Sequence, residues 1–318
     1  MRKIWIWIAS ALVLVGCGIF TVTMTACDWN FSKLGTQKNI TNTYEISEEF
    51  SNISIDTDTA DICFAPSTDG KCKVVCKELE KEKHSVSAEN GTLTIKVVNE
   101  RKWYDYIGIN ISETKLTVYL PKTEYQSLVI NEDTGDIEIP SGFIFNSIDM
   151  KLSTGDVELT GVTCTGELKI CVSTGDVELQ SVTCKNFRSQ GATGDISLEN
   201  VTAEETVSIT RTTGDTELDN VACKTLTVVS DTGEVSMENA VASESISVET
   251  STGDVELEAC DAPEIVVETD TGDVEGSLLT GKEFVVETDT GRVRVPENQA
   301  GGRCEITTDT GDITITIR

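Results

Sequence analysis

A column of evenly spaced aspartates is the first candidate for chemistry in this sequence. Each follows a Thr-Gly pair, and the set comprises Asp136, Asp156, Asp176, Asp195, Asp215, Asp254 and Asp273. Carboxylates that cluster with backbone carbonyl groups suit Ca²⁺, so the column is a candidate calcium ladder. The competing interpretation is that each carboxylate accepts hydrogen bonds from turn amides or faces water. We favour it, because the nine-residue Gly-Gly-x-Gly-x-Asp calcium repeat is absent and Arg292 interrupts the column.

Histidine and cysteine add little evidence for catalysis or for another metal. His84 is the sole histidine, so any nucleophile–histidine pair depends on it. Cys72 and Cys76 face the same side of a predicted strand, but His84 is the only other conventional soft ligand nearby, which disfavours a zinc site. The nucleophile-elbow, phosphate-loop and dinucleotide motifs are absent. We therefore predict no catalytic residues, no cofactor apart from the candidate Ca²⁺, and no enzymatic activity.

A short aromatic and basic segment is the candidate contact surface for a partner. It comprises Arg101, Lys102, Trp103, Tyr104 and Tyr106, which stand outside the repeats of an acidic chain that is only 5% aromatic. Trp, Tyr and Arg supply much of the binding energy at protein interfaces. The competing interpretation is that the rings close the end of the hydrophobic core.

The elements that position these residues follow from a repeat of 19 or 20 residues. Its Thr-Gly pairs begin at residues 134, 154, 174, 193, 213, 232, 252, 271, 290 and 310. Apolar residues stand seven and five residues before nearly every glycine and two and four after it, the exceptions being Ser189, Thr216 and Gly276. Polar residues stand between them, which is typical of half-buried strands. One coil cannot bury its own apolar stripe, so the coils must stack. We predict an all-β fold, a right-handed parallel β-solenoid with two principal strands per coil.

The chain is predicted to divide into four segments. Residues 1–27 form a membrane anchor or a lipoprotein signal, 28–49 a polar tether, 50–125 an N-terminal β cap, and 126–318 the solenoid of ten Thr-Gly repeats. The final strand has no cap after it, and an exposed sheet edge is a template for pairing. Oligomerisation through the C-terminal coil is therefore a further expectation.

The cap is predicted to begin with a degenerate coil. If Ala60 takes the glycine position, Ile53 and Ile55 precede it, and Ile62 and Phe64 follow it, at the spacing of the repeat. Atypical terminal repeats are usual in solenoids.

The N-terminus indicates export. Residues 4–26 contain no charged residue and are long enough to span a bilayer, and the basic residues before them should stay cytoplasmic. We favour a retained transmembrane helix. The alternative is a lipoprotein anchored at Cys17, because Leu14-Val15-Gly16-Cys17 resembles a lipobox. A conventional cleaved secretory signal is a third possibility. All three place the bulk of the chain outside the cytoplasm, at the bacterial cell membrane.

These features carry a family resemblance. A Leu-Thr-Val-Tyr-Leu-Pro strand at 116–121, the Tyr125-Gln126-Ser127-Leu128 segment and the repeated Ser-Thr-Gly-Asp-Val-Glu-Leu coils resemble the bacterial putative-adhesin family of unknown function over about residues 44–318. The resemblance implies a β-helical protein of the cell envelope, commonly membrane-anchored, with no catalytic residues to transfer.

The net charge and the family resemblance together narrow the classes of function and partner that we expect. A formal net charge of −29 disfavours nucleic acid and anionic membrane surfaces as partners. We predict a non-enzymatic binding module, adhesin-like or sensing, that recognises an envelope component or a protein partner. The first alternative is an acidic structural spacer that binds Ca²⁺. The second is a glycan-active β-helix enzyme, since paired carboxylates can cleave glycosidic bonds.

Overall fold

The computed structural model describes residues 2–26, 29, 39–103 and 114–318. One helix, α1 (Arg2–Ala26), precedes a chain of β-strands. In the part of the chain that the structure describes, no helix combines the length and the apolar character that a membrane crossing requires. The predicted transmembrane helix over residues 4–26 is therefore not supported.

Each regular coil contains one long strand before the turn glycine and one short strand after it. The long strands are β8 (Glu124–Thr134), β10 (Ile144–Thr154), β12 (Thr163–Thr174), β14 (Thr183–Thr193), β16 (Thr202–Thr213), β18 (Ala222–Thr232), β20 (Val241–Thr252), β22 (Glu264–Thr271), β24 (Glu283–Thr290) and β26 (Arg303–Thr310). The short strands are β9 (Ile137–Ile139), β11 (Val157–Thr160), β13 (Val177–Gln180), β15 (Ile196–Glu199), β17 (Thr216–Asp219), β19 (Val235–Glu238), β21 (Val255–Cys260), β23 (Val274–Leu278), β25 (Val293–Arg294) and β27 (Ile313–Ile317).

Equivalent strands of adjacent coils pair in parallel, and the apolar columns face inward. Leu168 of β12 is in register with Phe187 of β14, and Val157 of β11 with Val177 of β13. These residues are at most 1% exposed. Because every coil contributes to the same columns, one hydrophobic core runs the length of the stack. This confirms the predicted β-solenoid.

The turn glycines are fixed by the closeness of the coils. A Cβ atom at Gly175 would lie 2.1 Å from the carbonyl oxygen of Gly155, and the φ angle of Gly175 is +141°. A side chain would therefore clash with the backbone of the preceding coil and strain its own backbone. A second turn follows each short strand, where residues such as Asn200, Asn220 and Asn239 adopt positive φ angles, as Asn tolerates better than most residues.

The cap lies at the N-terminal end of the stack and combines parallel pairs with antiparallel ones. Its strands are β1 (Asn39–Ile46), β2 (Asn52–Thr59), β3 (Asp61–Pro66), β4 (Cys72–Leu79), β5 (Glu82–Glu89), β6 (Thr92–Asn99) and β7 (Lys115–Leu120). β5 pairs with β6, while β4 pairs with both β7 and β1. The second half of the predicted tether thus belongs to the cap as its outer strand, β1.

The degenerate first coil lies inside the stack. β2 pairs in parallel with β6 on one side and β8 on the other, and β3 does the same with β7 and β9. Ile55 is in register with Ile130, and Ile62 with Ile137. The register predicted with Ala60 at the glycine position is confirmed.

The last coil of the sequence also lies inside the stack. β26 pairs with β22 and β24, and β27 with β23 and β25. The outermost layer is therefore the preceding coil, residues 283–294. The open edge predicted for the end of the chain belongs instead to β24 and β25, because the final coil enters between two earlier ones.

This interleaving predicts unequal effects of two matched substitutions. Val267 and Val286 both stand five residues before a turn glycine, but Val267 is 1% exposed and Val286 only partly buried in the outermost coil. We expect Val267→Ala to lower the free energy of unfolding by about 2 kcal/mol and Val286→Ala by less than half of that, measured by chemical denaturation. Equal losses would contradict the interleaved order, since stacking in sequence order buries both side chains.

Candidate functional site

A polar groove runs along the outside of the stack beside the cap. It has a volume of about 610 Å³. It crosses β2 of the first coil and the long strands of the next four coils, whose turn glycines are Gly135, Gly155, Gly175 and Gly194. Its walls include the outward-facing residues Asp56, Asp58, Asn131, Asp133, Lys151 and Gln190. The groove thus offers carboxylates, amides and an ammonium group on a rigid sheet, a set that suits hydrogen bonding to a polar ligand.

Two buried polar side chains lie in the floor of this groove, in the column three residues before the turn glycine. The next two coils have apolar residues there, Leu152 and Val172, and later coils have polar ones such as Ser230 and Thr250. Thr57 and Glu132 are in register on β2 and β8, and each is 3% exposed. Glu132 Oε1 accepts a hydrogen bond from the Ala60 amide at 3.2 Å, and Oε2 has no partner among the described residues. Burial raises the pKa of Glu132 to about 8, with a further contribution from the charges of Asp133 and Asp58.

Thr57 is the end of a buried hydrogen-bonded chain from the cap. Its hydroxyl lies 2.8 Å from His84 Nε2, and His84 Nδ1 lies 2.8 Å from Glu78 Oε2. Asn42 Nδ2 donates to Glu78 Oε1 at 2.6 Å. Glu78 and His84 are 1% and 5% exposed. The chain links β1, β4 and β5 to the first coil, and the His84 backbone amide reinforces it by donating to Glu78 Oε2 at 2.6 Å.

This chain has the connectivity of a hydroxyl–imidazole–carboxylate triad, but not its accessibility. A nucleophile must meet its substrate, whereas Thr57 is 3% exposed and its hydroxyl is engaged by His84. The arrangement suits a buried polar network better than acyl transfer.

The same place holds a group of candidate metal ligands. Ligand atoms of Cys76, Glu78 and His84 lie within 4.8 Å of one another, and it is the one such group among the described residues. Sequence reasoning considered Cys72, Cys76 and His84 and missed Glu78. The alternation of β4, which places Cys76 and Glu78 on one face, and the hairpin between Leu79 and Glu82 were the available signals.

The predicted calcium column forms a hydrogen-bonded ladder. The amide of Asp176 donates to Asp156 Oδ1 at 2.8 Å, and the amide of Asp195 donates to Asp176 Oδ1 at 2.8 Å. The same bond recurs between Asp273 and Asp254. One oxygen of these carboxylates is therefore used in joining coils. Binding of Ca²⁺ by the other oxygens stays a prediction.

Arg292 ends this ladder and does not interrupt it. Its coil is the outermost layer, so its neighbour is Asp312, whose Oδ1 accepts a bond from the Arg292 amide at 2.9 Å. The guanidinium also pairs with Asp312 Oδ2 at 3.0 Å. The interruption inferred from the sequence was wrong, because the order of the coils in space differs from their order in the chain.

The predicted contact segment is only partly described. Arg101 pairs with Glu82 at 2.5 Å and is largely buried there, while Trp103 is 76% exposed. Trp103 therefore does not close the core. Tyr104 and Tyr106 lie outside the described residues, and Lys102 is exposed. Partner contact through this segment stays a prediction.

Arg211 is a buried cation inside the solenoid. It is 2% exposed, its Nη2 donates to Ser189 Oγ at 3.1 Å, and Nε and Nη1 have no partner among the described residues. The guanidinium fits because Gly191 has no side chain: a Cβ there would lie 1.6 Å from Arg211 Nη1. Burial lowers the pKa of Arg211, opposed by the charges of Asp176 and Asp195.

Stacked parallel coils with one continuous core define a β-solenoid repeat protein. The chain belongs to the Toastrack DUF4097 family, whose model matches residues 50–315.

Solved structures of similar proteins come from Bacteroides and Parabacteroides species. A putative adhesin from Bacteroides fragilis is 20% identical, over 88% of this chain and 97% of that one, with a TM-score of 0.42. A putative lipid binding protein from Parabacteroides distasonis is 15% identical, over 88% and 98%, with a TM-score of 0.47. A putative adhesin from the same species is 11% identical, over 88% and 98%, with a TM-score of 0.45. No curated protein matches the chain.

The buried carboxyl of Glu132 predicts an unusual dependence of stability on pH. Its pKa in the folded protein, about 8, exceeds that of an unfolded glutamate, so the folded state holds a proton that the unfolded state has lost. Its contribution to stability is full below the unfolded pKa and is lost as pH rises toward 8. Glu132→Gln should remove this pH-dependent loss of stability.

The measurement is denaturant unfolding of both proteins between pH 5 and 9, with the exposed Glu138→Gln as the control. The variant should be the more stable protein at pH 8, and its advantage should shrink toward pH 5. A constant difference across this range would show that Glu132 titrates normally.

The incomplete pairing of Arg211 predicts that its charge can be removed without loss of stability. Replacing incompletely paired buried charges by apolar side chains is often neutral or stabilising. We expect Arg211→Met to leave the free energy of unfolding unchanged or to raise it by on the order of 1 kcal/mol. Urea unfolding would measure this, with the exposed Arg188→Met as the control. A loss above about 2 kcal/mol would mean that the guanidinium has a strong partner inside the solenoid.

Proposed function

We propose that this protein is a non-enzymatic binding module of the bacterial cell envelope and that the polar groove is its ligand surface. The observation that supports this most is the concave, hydrogen-bonding groove beside the cap, on a stack that otherwise repeats the same charged outer columns. Function tends to lie where a repetitive scaffold departs from its own pattern. The groove departs through Glu132, a buried carboxyl group in a column that otherwise holds hydroxyl or apolar side chains in most coils.

The chemistry of the groove indicates the class of ligand. Asp56, Asp58 and Asp133 accept hydrogen bonds, and Asn131 and Gln190 both donate and accept them. Acidic walls disfavour anionic lipid headgroups and favour hydroxyl and ammonium groups. A polyhydroxylated or amine-bearing envelope polymer, such as the glycan of a cell wall, fits best.

The proposal includes location outside the cytoplasm at the cell membrane. The N-terminal segment would provide export and attachment, and lipid modification of Cys17 is the form of attachment that needs no membrane-spanning helix. Cys17 is exposed in α1.

One observation keeps the glycan-active alternative as a second candidate. Glycoside hydrolysis needs a carboxyl group that stays protonated near a carboxylate that is ionised. Glu132, with its pKa of about 8, and the nearby Asp58 and Asp133 could supply these two states. The low exposure of Glu132 favours binding over this alternative.

A co-sedimentation experiment tests the proposed ligand surface. Full-length protein would be mixed with purified cell-wall glycan, in mild detergent, with Ca²⁺ or with chelator. The groove variant is Asp56→Asn with Asp58→Asn. The matched control is Glu268→Gln with Asp270→Asn, which changes the equivalent positions of a coil outside the groove.

We expect wild type and control to be retained and the groove variant to be retained at least tenfold less. Equal retention of both variants would exclude the groove. Retention that needs Ca²⁺ and is insensitive to the groove would favour the acidic spacer, and release of reducing ends by wild type but not by Glu132→Gln would favour the enzyme. Loss of retention in Trp103→Ala alone would move the site to the contact segment.

A further inference from the structure

We propose that Cys76, Glu78 and His84 form a binding site for one zinc-class metal ion inside the N-terminal cap. The three residues offer a thiolate, a carboxylate and an imidazole, the donor types that zinc takes in proteins. Each residue is at most 5% exposed, so this is a closed site and not a scatter of surface acids.

The spacing of the donor atoms fits one small ion. Their ligand atoms lie within 4.8 Å of one another. Zinc bonds of about 2.0–2.3 Å place two ligands of a tetrahedral ion about 3.3–3.7 Å apart. His84 Nδ1 and Glu78 Oε2, now 2.8 Å apart, would separate slightly, and the thiol would approach. Glu78 Oε2 also accepts a hydrogen bond from the His84 backbone amide at 2.6 Å, so a lone pair of the same oxygen would have to serve the ion.

The fold brings the three donors together from a short stretch of chain. Cys76 and Glu78 are two residues apart on β4, so their side chains share a face. The hairpin at Leu79 and Glu82 returns the chain along β5, which carries His84. The ion would thus join β4 and β5, two strands of the cap.

The surroundings supply the outer contacts that metal sites use. The other imidazole nitrogen of His84, Nε2, lies 2.8 Å from the Thr57 hydroxyl. This hydroxyl can accept a hydrogen bond from Nε2–H and so fix the tautomer. Glu78 Oε1, the oxygen left over, accepts from Asn42 at 2.6 Å. Ligand orientation is therefore already set before an ion enters.

A divalent ion would leave the site electrically neutral. A buried carboxylate and a buried thiolate would together carry two negative charges, which a divalent cation cancels. The competing interpretation is a thiol beside a Glu–His hydrogen bond. It satisfies the same polar atoms, so metal binding itself must be measured.

The experiment uses full-length protein, stripped with chelator and titrated with Co²⁺ and with Zn²⁺. Cobalt bound by a thiolate shows charge-transfer absorption, which reports cysteine ligation directly. The test variant is Cys76→Ala. The matched control is Cys72→Ala, which removes a buried thiol from the same face of the same strand. Thr57→Val tests the outer contact to His84.

We expect wild type and Cys72→Ala to bind one ion per chain with charge-transfer absorption and a raised melting temperature. Cys76→Ala should lose at least 100-fold in affinity, and Thr57→Val should lose about tenfold. Absence of the absorption in wild type, or equal affinity in the two cysteine variants, would overturn the proposal. If Cys76→Ala does not fold, the charge-transfer absorption of wild type and the metal affinity of Thr57→Val decide whether the site binds the ion.

Discussion

The close approach of successive coils at the turn glycines is the constraint on which the rest of the structure depends. A Cβ atom at Gly194 or Gly214 would lie 2.1 Å from a carbonyl oxygen of the coil below. Only glycine allows the backbones to meet there, and the aspartate that follows joins its neighbour through an amide–carboxylate bond. Glycine and aspartate together hold each coil in register, so that each apolar column is continuous and buried.

A scaffold of this regularity makes its departures informative. The column three residues before the turn glycine often holds a buried hydroxyl, as at Thr57 and Thr250. It departs from this pattern at Glu132, beneath the groove, and at Arg211, which fills the space left by Gly191 and Ser189. Each departure costs desolvation free energy. Glu132 lies beside the cap, where the groove and the network of Glu78 and His84 also lie, whereas Arg211 lies in the middle of the stack.

The repeat and its buried columns could be predicted from the sequence, because period-two alternation and glycine spacing are local signals. The register of the first coil, with Ile55 beside Ile130, followed from the same spacing. The order of the coils could not be predicted. Ile306 and Val286 fit the same column, so nearly identical repeats do not say which one lies outside, and the position of Arg292 was misread for this reason.

The candidate site was harder to predict than the fold, because it depends on contacts between distant strands. In the sequence, Glu78 cannot be told from the many surface acids. Only the hairpin of β4 and β5 brings its carboxylate to His84. Glu132 occupies a position that is apolar in the next coil, at Leu152. That substitution within a column is a visible signal, but only once the column is known to face inward.

Hydrogen–deuterium exchange of the full-length protein, with and without cell-wall glycan, tests most directly whether the groove beside the cap is the ligand surface. The account predicts slower exchange on binding in residues 56–58, 131–133 and 151–153, with no change in the outermost coil. Slower exchange confined to residues 283–294, or no change anywhere with glycan present at saturating concentration, would contradict it.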